Sequence, residues 1–244
     1  TVVYQMTATI EPSSSATVTT GEANCGQDWD FVMEAAEGQH LAMIFVDYAL
    51  DTVFTNQEDT YTYTVEDVHG DHSVIVYTAI DEYAVNVTTI GEGVTNIDGD
   101  TTAIYNTTLD FTFAPNACNE LVSFTINDVE YIDSLSSLAY TWTATEDATV
   151  VVTYDSIRYI MAETHTGNGT VSFDSTVNCG ETYTYEVRAD EGWHIESCIL
   201  SDGVTDVEQM TLPTTNADNS IDVDVTADGN YVLNVTFAIN TYNV

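Results

Sequence analysis

DFVMEAAEGQHL (30–41), DFTFAPNACNEL (110–121) and TYEVRADEGWHI (184–195) align without gaps, and their shared pattern decides the fold. In each, an aromatic residue (Phe31, Phe111, Tyr185) is followed two positions on by another apolar one (Met33, Phe113, Val187). A small residue or proline comes next at the same phase (Ala35, Pro115, Ala189). This is period-2 alternation, one face of a β-strand running into a turn. The segments begin at 30, 110 and 184, so the copies lie 80 and then 74 residues apart.

The flanks repeat as well. Copies one and three share Asn-Cys-Gly at 24–26 and 178–180, with the cysteines 13 residues before the turn glycines Gly38 and Gly192. They also share a Glu-Gly-x-His turn containing His40 and His194. A second apolar stretch then ends in a polar tip, at Asp47, Asp128 and Gly203. Each copy closes with a Thr-rich strand, an Asp-containing turn and a final apolar strand ending at Tyr77, Tyr154 or Phe237. Four matching blocks in the same order three times define an internal repeat. The sequence therefore predicts an all-β protein of three tandem antiparallel β-modules, small sandwich or sheet units, at 1–80, 81–157 and 158–244.

Composition narrows what such a chain can do. Asp and Glu number 40 against two basic residues, Arg158 and Arg188, and there is no lysine; the formal net charge is −38. That balance repels phosphate backbones and anionic lipid surfaces, so nucleic-acid and membrane partners are not expected. The acidity does not signal disorder, because the chain is 44% hydrophobic and 11% aromatic and rich in strand-forming Val, Ile and Thr. No apolar run approaches the roughly 18 to 20 residues of a membrane span, so insertion into a membrane is not expected.

The third copy, GNGTVSFDSTVNCGETYTYEVRADEGWHIESCILSDG followed by VTADGNYVLNVTF, resembles the small β-repeat modules of bacterial and archaeal cell-surface proteins. Their pattern runs from a G-T-V strand through a T-x-T-A strand and a V-x-V-D-G hairpin to a closing A-D-x-x-V-x-V-x-F strand. The resemblance extends over about residues 7–239 and is weakest in copy two, where Cys118 stands at the turn-glycine position. It implies an extracellular structural or adhesive role and brings no catalytic residues.

Candidate site residues are few. Four N-x-S/T sequons, at Asn86, Asn106, Asn168 and Asn234, are acceptors for glycan in a secreted or surface protein. Cys25, Cys118, Cys179 and Cys198 form an even set without a CxxC pair, which suits disulfides better than zinc. Cys179 precedes one strand of copy three and Cys198 lies on the next, so these two are expected to pair, leaving Cys25 and Cys118 to join copies one and two or separate subunits. His40 and His194 sit at equivalent turns and read as structural; His69 and His72 read as solvated turn residues that could chelate a metal. Calcium is the one cofactor the acidic turns suggest, with Asp98 and Asp100 the best local ligands and Asp218, Asp222, Asp224 and Asp228 a second group. No nucleophile elbow, phosphate loop or glycine-rich dinucleotide fingerprint is present, and no enzymatic activity is expected.

The expected function is a structural subunit of an extracellular assembly, a filament, sheath or surface layer, whose partners are copies of itself. Tandem β-modules expose edge strands, and this chain lacks the lysine and has only three of the prolines that commonly block them. Residues 1–10, which alternate apolar and polar for part of their length, are the candidate for a strand donated to a neighbour. The alternative is an adhesin or carbohydrate-binding stalk module. Folding brings the carboxylates closer together, so the folded state takes up protons more readily than the expanded chain. Stability is then expected to rise as pH falls from neutral toward about 5 and, at neutral pH, as salt or divalent cations screen the charge. A melting temperature that stays flat from low to molar salt contradicts this.

Overall fold

The structure, a computed structural model, describes residues 2–98, 102–209 and 219–241. The described residues form 24 strands and one short 3-10 turn, and the strands fall into three sets of eight. The first set is β1 (Val3–Glu11), β2 (Ala16–Val18), β3 (Gly21–Asn24), β4 (Trp29–Ala35), β5 (Gln39–Val46), β6 (Ala49–Glu58), β7 (Thr60–Val65) and β8 (His72–Ile80). The second is β9 (Glu82–Ile90), β10 (Gly93–Asp98), β11 (Thr102–Ile104), β12 (Thr108–Pro115), β13 (Asn119–Ile126), β14 (Val129–Glu130), β15 (Ala139–Thr143) and β16 (Ala148–Ser156). The third is β17 (Arg158–Thr166), β18 (Gly169–Ser172), β19 (Thr176–Asn178), β20 (Thr182–Ala189), β21 (Trp193–Ser201), β22 (Asp206–Gln209), β23 (Ser220–Thr226) and β24 (Tyr231–Ile239).

Each set makes the same pair of sheets. The five-stranded sheets run β3-β1-β8-β5-β6, β11-β9-β16-β13-β14 and β19-β17-β24-β21-β22. The three-stranded sheets run β2-β4-β7, β10-β12-β15 and β18-β20-β23. The protein is thus all-β, with one eight-stranded design used three times. By compactness the chain divides differently. One unit comprises Thr1–Thr88, Thr95–Thr112 and Thr125–Val151; the other comprises Thr89–Val94, Phe113–Phe124 and Val152–Val244. The first repeat and its junction with the second lie inside the first unit, and the third repeat and its junction with the second lie inside the other.

The three aligned segments are the same element in each repeat: β4, β12 and β20, each followed by its turn and the next strand. Alternation works as the sequence requires. Phe31, Phe111 and Tyr185 are fully buried, and Met33, Phe113 and Val187 lie beside them in the core. In the first repeat these meet Met6, Leu41, Ile44, Val74 and Val76 from the other sheet, making a two-sheet sandwich. In the third, Tyr185 meets Met161, Cys198, Leu233 and Val235 in the same way. Its hydroxyl donates to the Ala162 carbonyl at 3.1 Å, which satisfies the polar end of an otherwise apolar side chain. Each such side chain contributes about 1.5 to 3 kcal/mol by leaving water.

Turns repeat too. Asp47-Tyr48 and Asn127-Asp128 both have two successive positive φ angles, the backbone of a two-residue hairpin matched to strand twist. At the turn before each final strand, Asp71, Asp147 or Asn230 accepts the backbone N–H of Gln5, Ala84 or Ile160 at 2.7 to 2.8 Å. A short polar side chain thereby ties the end of each repeat to its beginning.

This arrangement corrects the expectation for the N-terminal segment. β1 lies inside its own sheet, antiparallel to β3 (Val3 opposite Asn24) and parallel to β8 (Met6 opposite His72). Both of its edges are hydrogen-bonded within the repeat, and Met6 is buried, so it is not a strand free for donation. β17 takes the same place beside β19 and β24.

Candidate functional site

The residues that distinguish this chain from three separate sandwiches lie where one repeat ends and the next begins. A single residue links the repeats: Asp81 between β8 and β9, and Ile157 between β16 and β17. Asp81 donates its N–H to the Gly38 carbonyl at 3.0 Å, and its own carbonyl accepts the Tyr105 N–H at 2.9 Å. Ile157 donates to the Cys118 carbonyl at 2.9 Å and accepts from the Cys179 N–H at 2.9 Å. Gly38 and Cys118 are the turn residues after β4 and β12, while Tyr105 and Cys179 directly follow β11 and β19. Backbone hydrogen bonding therefore passes through each linker without a gap.

Side chains complete the two junctions by different chemistry. At the first, the Tyr105 ring lies against Gly38 so closely that a Cβ there would meet a ring carbon at 2.1 Å. Its hydroxyl donates to Glu37 at 2.9 Å. The carboxylate of Asp81, itself buried, meets His40 Nδ1 at 2.9 Å. At the second, Cys118 and Cys179 occupy the places of Gly38 and Tyr105 and form a disulfide, with Cα atoms 5.3 Å apart. Cys118 holds the left-handed turn backbone (φ 63) that Gly38 also holds (φ 73).

The disulfide corrects the expected connectivity. Cys198 does not reach Cys179, because it points from β21 into the third core beside Leu233 and Val235. Burial pushes its thiol up to about 11. Cys25 is exposed and unpaired, and its N–H donates to the Val2 carbonyl at 2.9 Å, which is the bond that Tyr105 and Cys179 make to their linkers. Alignment alone held the signal for the true pair. Cys118 stands at the turn-glycine phase, and Cys179 has the phase of a residue that meets the preceding turn.

The remaining candidates stay apart. Asn86, Asn106 and Asn168 are exposed, on β9, after β11 and after β17. Asn234 is half-buried on β24, where its Oδ1 accepts from Thr164 at 2.5 Å. His72 Nδ1 meets Asp47 at 2.7 Å, whereas His69 Nδ1 meets the Asp67 carbonyl at 2.6 Å, so the two histidines serve different partners. Asp100 and Asp218 lie outside the described residues, as does the side chain of Asp98. Asp224 accepts from the Thr184 hydroxyl at 2.6 Å, Asp228 accepts from the Tyr231 hydroxyl, and Asp222 is an exposed position of β23. Among the described residues no group of three or more His, Cys, Asp or Glu side chains is arranged to hold a metal ion. Trp29 packs edge-on against Phe31 and Trp193 against the third core, so neither joins an exposed aromatic platform.

No family model matches the chain, and no curated protein matches it. Among solved structures, a fragment of three immunoglobulin domains of titin carrying Glu-to-Ala changes is similar over 96% of this chain and 95% of that one. The identity is 8% and the TM-score 0.15, a level of likeness that carries no argument. The disulfide itself points to an oxidising environment. Among the described residues no helix is long and apolar enough to cross a membrane.

Thiol chemistry tests the site directly. In native protein Cys25 should alkylate at once and Cys198 only after unfolding, while Cys118 and Cys179 should need reduction first. A peptide carrying a Cys179–Cys198 bridge contradicts this assignment.

Proposed function

We propose that the chain is a structural subunit of an extracellular assembly, a filament, sheath or surface layer, in which copies join along exposed sheet edges. The observation that carries this is β6, the outer strand of the first five-stranded sheet. It runs for ten residues, Ala49–Glu58, is largely exposed and contains neither lysine nor proline. Leu50 and Val53 are each more than half exposed on it. An edge of that length offers backbone donors and acceptors to another chain. At −38 per copy such a contact needs charge screening or bridging cations, of which calcium is the natural extracellular choice. The resemblance to cell-surface repeat modules and the oxidised cysteine pair support the location.

A carbohydrate-binding or adhesive module is the second reading, favoured by one surface cleft. Tyr48, 81% exposed, stands there beside Gln5, Asp47, Asp71 and His72, an aromatic face with hydrogen-bonding groups around it. Sedimentation and negative-stain microscopy across sodium chloride and calcium concentrations separate the two readings. Polymers that form with added salt or calcium, and that are lost in the Leu50→Asp/Val53→Asp variant at unchanged melting temperature, are the expected result. A chain that stays monomeric in every condition while binding a glycan array through Tyr48 overturns it.

A further inference from the structure

The third repeat ends in a face built like the one on which the second repeat sits. At the first junction that face consists of Glu37, Gly38 and His40 with the linker Asp81. In the third repeat the same positions hold Glu191, Gly192 and His194 with Asn240. The Asn240 N–H donates to the Gly192 carbonyl at 2.8 Å, as Asp81 does to Gly38. His194 Nδ1 meets Asn240 Oδ1 at 2.9 Å, as His40 meets Asp81. Gly192 has the left-handed backbone of Gly38, φ 86 against 73.

The difference is in what covers the face. A Cβ at Gly38 would collide with Tyr105, whereas one at Gly192 would meet nothing within 4 Å among the described residues. Glu37 accepts the Tyr105 hydroxyl, while Glu191 is exposed and has no partner among the described residues. The turn backbone alone does not require glycine, since Cys118 adopts it. At Gly38 the glycine makes room for a ring, and among the described residues no side chain takes the same room at Gly192.

The sequence that follows has the phase of a new repeat. After each linker position the chain reads Val3-Tyr4-Gln5-Met6, Glu82-Tyr83-Ala84-Val85 and Arg158-Tyr159-Ile160-Met161, and after Asn240 it reads Thr241-Tyr242-Asn243-Val244. In the three described cases the tyrosine is half-buried and the Met or Val two residues on is buried. The spacing of this start strand is thus present a fourth time.

We infer that the Glu191–Gly192–His194–Asn240 face is a docking surface for one further β-repeat, joined through Asn240 and bearing a tyrosine after its third strand. The tyrosine ring would lie on Gly192 and its hydroxyl would donate to Glu191. The backbone would run through Asn240 as it runs through Asp81 and Ile157. A second copy of this chain fits the face less well: it would bring Cys25, which has no ring and no hydroxyl for Glu191.

The test uses disulfides as rulers of proximity. In the chain itself, Gly38→Cys with Tyr105→Cys should bridge as fully as Cys118–Cys179, which serves as the control in the same molecule. The full chain is then extended after Asn240 with residues 82–156, its own second repeat. This extended chain carries Gly192→Cys, Tyr105→Cys and Cys118→Gly in the added copy, and Cys25→Ser. Non-reducing peptide mapping should find the two introduced thiols joined in most molecules. Free thiols in the extended chain beside an intact control bridge overturn the inference. So does an added repeat that remains protease-sensitive, because the face then gives it no support. The unextended Gly192→Cys chain supplies the last arm: a covalent ladder through Cys25 of other molecules would assign the face to a second copy instead. Each of these readouts is independent of whether copies polymerise along β6, so the two proposals fail separately.

Discussion

The rest of the architecture depends on a linker one residue long. Asp81 and Ile157 each give an N–H to the turn behind and a carbonyl to the strand end ahead. A buried backbone group without a partner is costly, and here the linker's two groups are both used at once. With so short a connection, the last strand of one repeat and the first strand of the next follow directly. The first strand must also sit in the middle of its own sheet, beside its third and last strands. A strand so placed already has both of its edges paired within its own repeat. Side chains then secure the junction in whatever way the local pair allows, by a ring on glycine at the first and by a covalent bridge at the second.

A chain with two arginines and no lysine has few cations to order its 40 carboxylates, and it uses hydroxyls and amides as well. On the outer face of each three-stranded sheet, one directly opposite pair joins a threonine to an aspartate. These are Thr64 with Asp30, Thr141 with Asp110, and Thr184 with Asp224, at 2.5 to 2.7 Å. In the third repeat the two residues have exchanged strands, so the contact persists while its ends swap. Cross-strand pairs of this kind are the unit of sheet stabilisation. Turn carboxylates do similar duty: Asp202 accepts the Thr205 and Val204 N–H groups, which hold it below the usual carboxylate range.

The strand-and-turn segments, the threefold repeat and the buried aromatic positions were legible in the sequence because alternation and turn residues are local signals. Phe31, Phe111 and Tyr185 could be placed in the core from spacing alone. The place of β1 was not legible, since alternation marks a strand without naming its neighbours, and its partner β8 begins more than 60 residues later. The cysteine pairing is not legible for a related reason. Adjacency within one repeat favours Cys179 and Cys198, whereas the bridge, Cys118–Cys179, depends on which residues two successive repeats bring together. The junction of Tyr105, Gly38 and Asp81 depends on the same meeting of successive repeats, although the phase of each residue within its repeat is visible in the sequence.

Amide hydrogen exchange at the linkers measures the continuity of this ladder most directly. The N–H groups of Asp81, Tyr105, Ile157 and Cys179 should exchange as slowly as those of the core strands, because each is bonded across a junction that opens only with the repeats themselves. Exchange at these four positions as fast as in exposed turns, with the core strands still protected, would contradict the account and leave three modules joined by flexible connections.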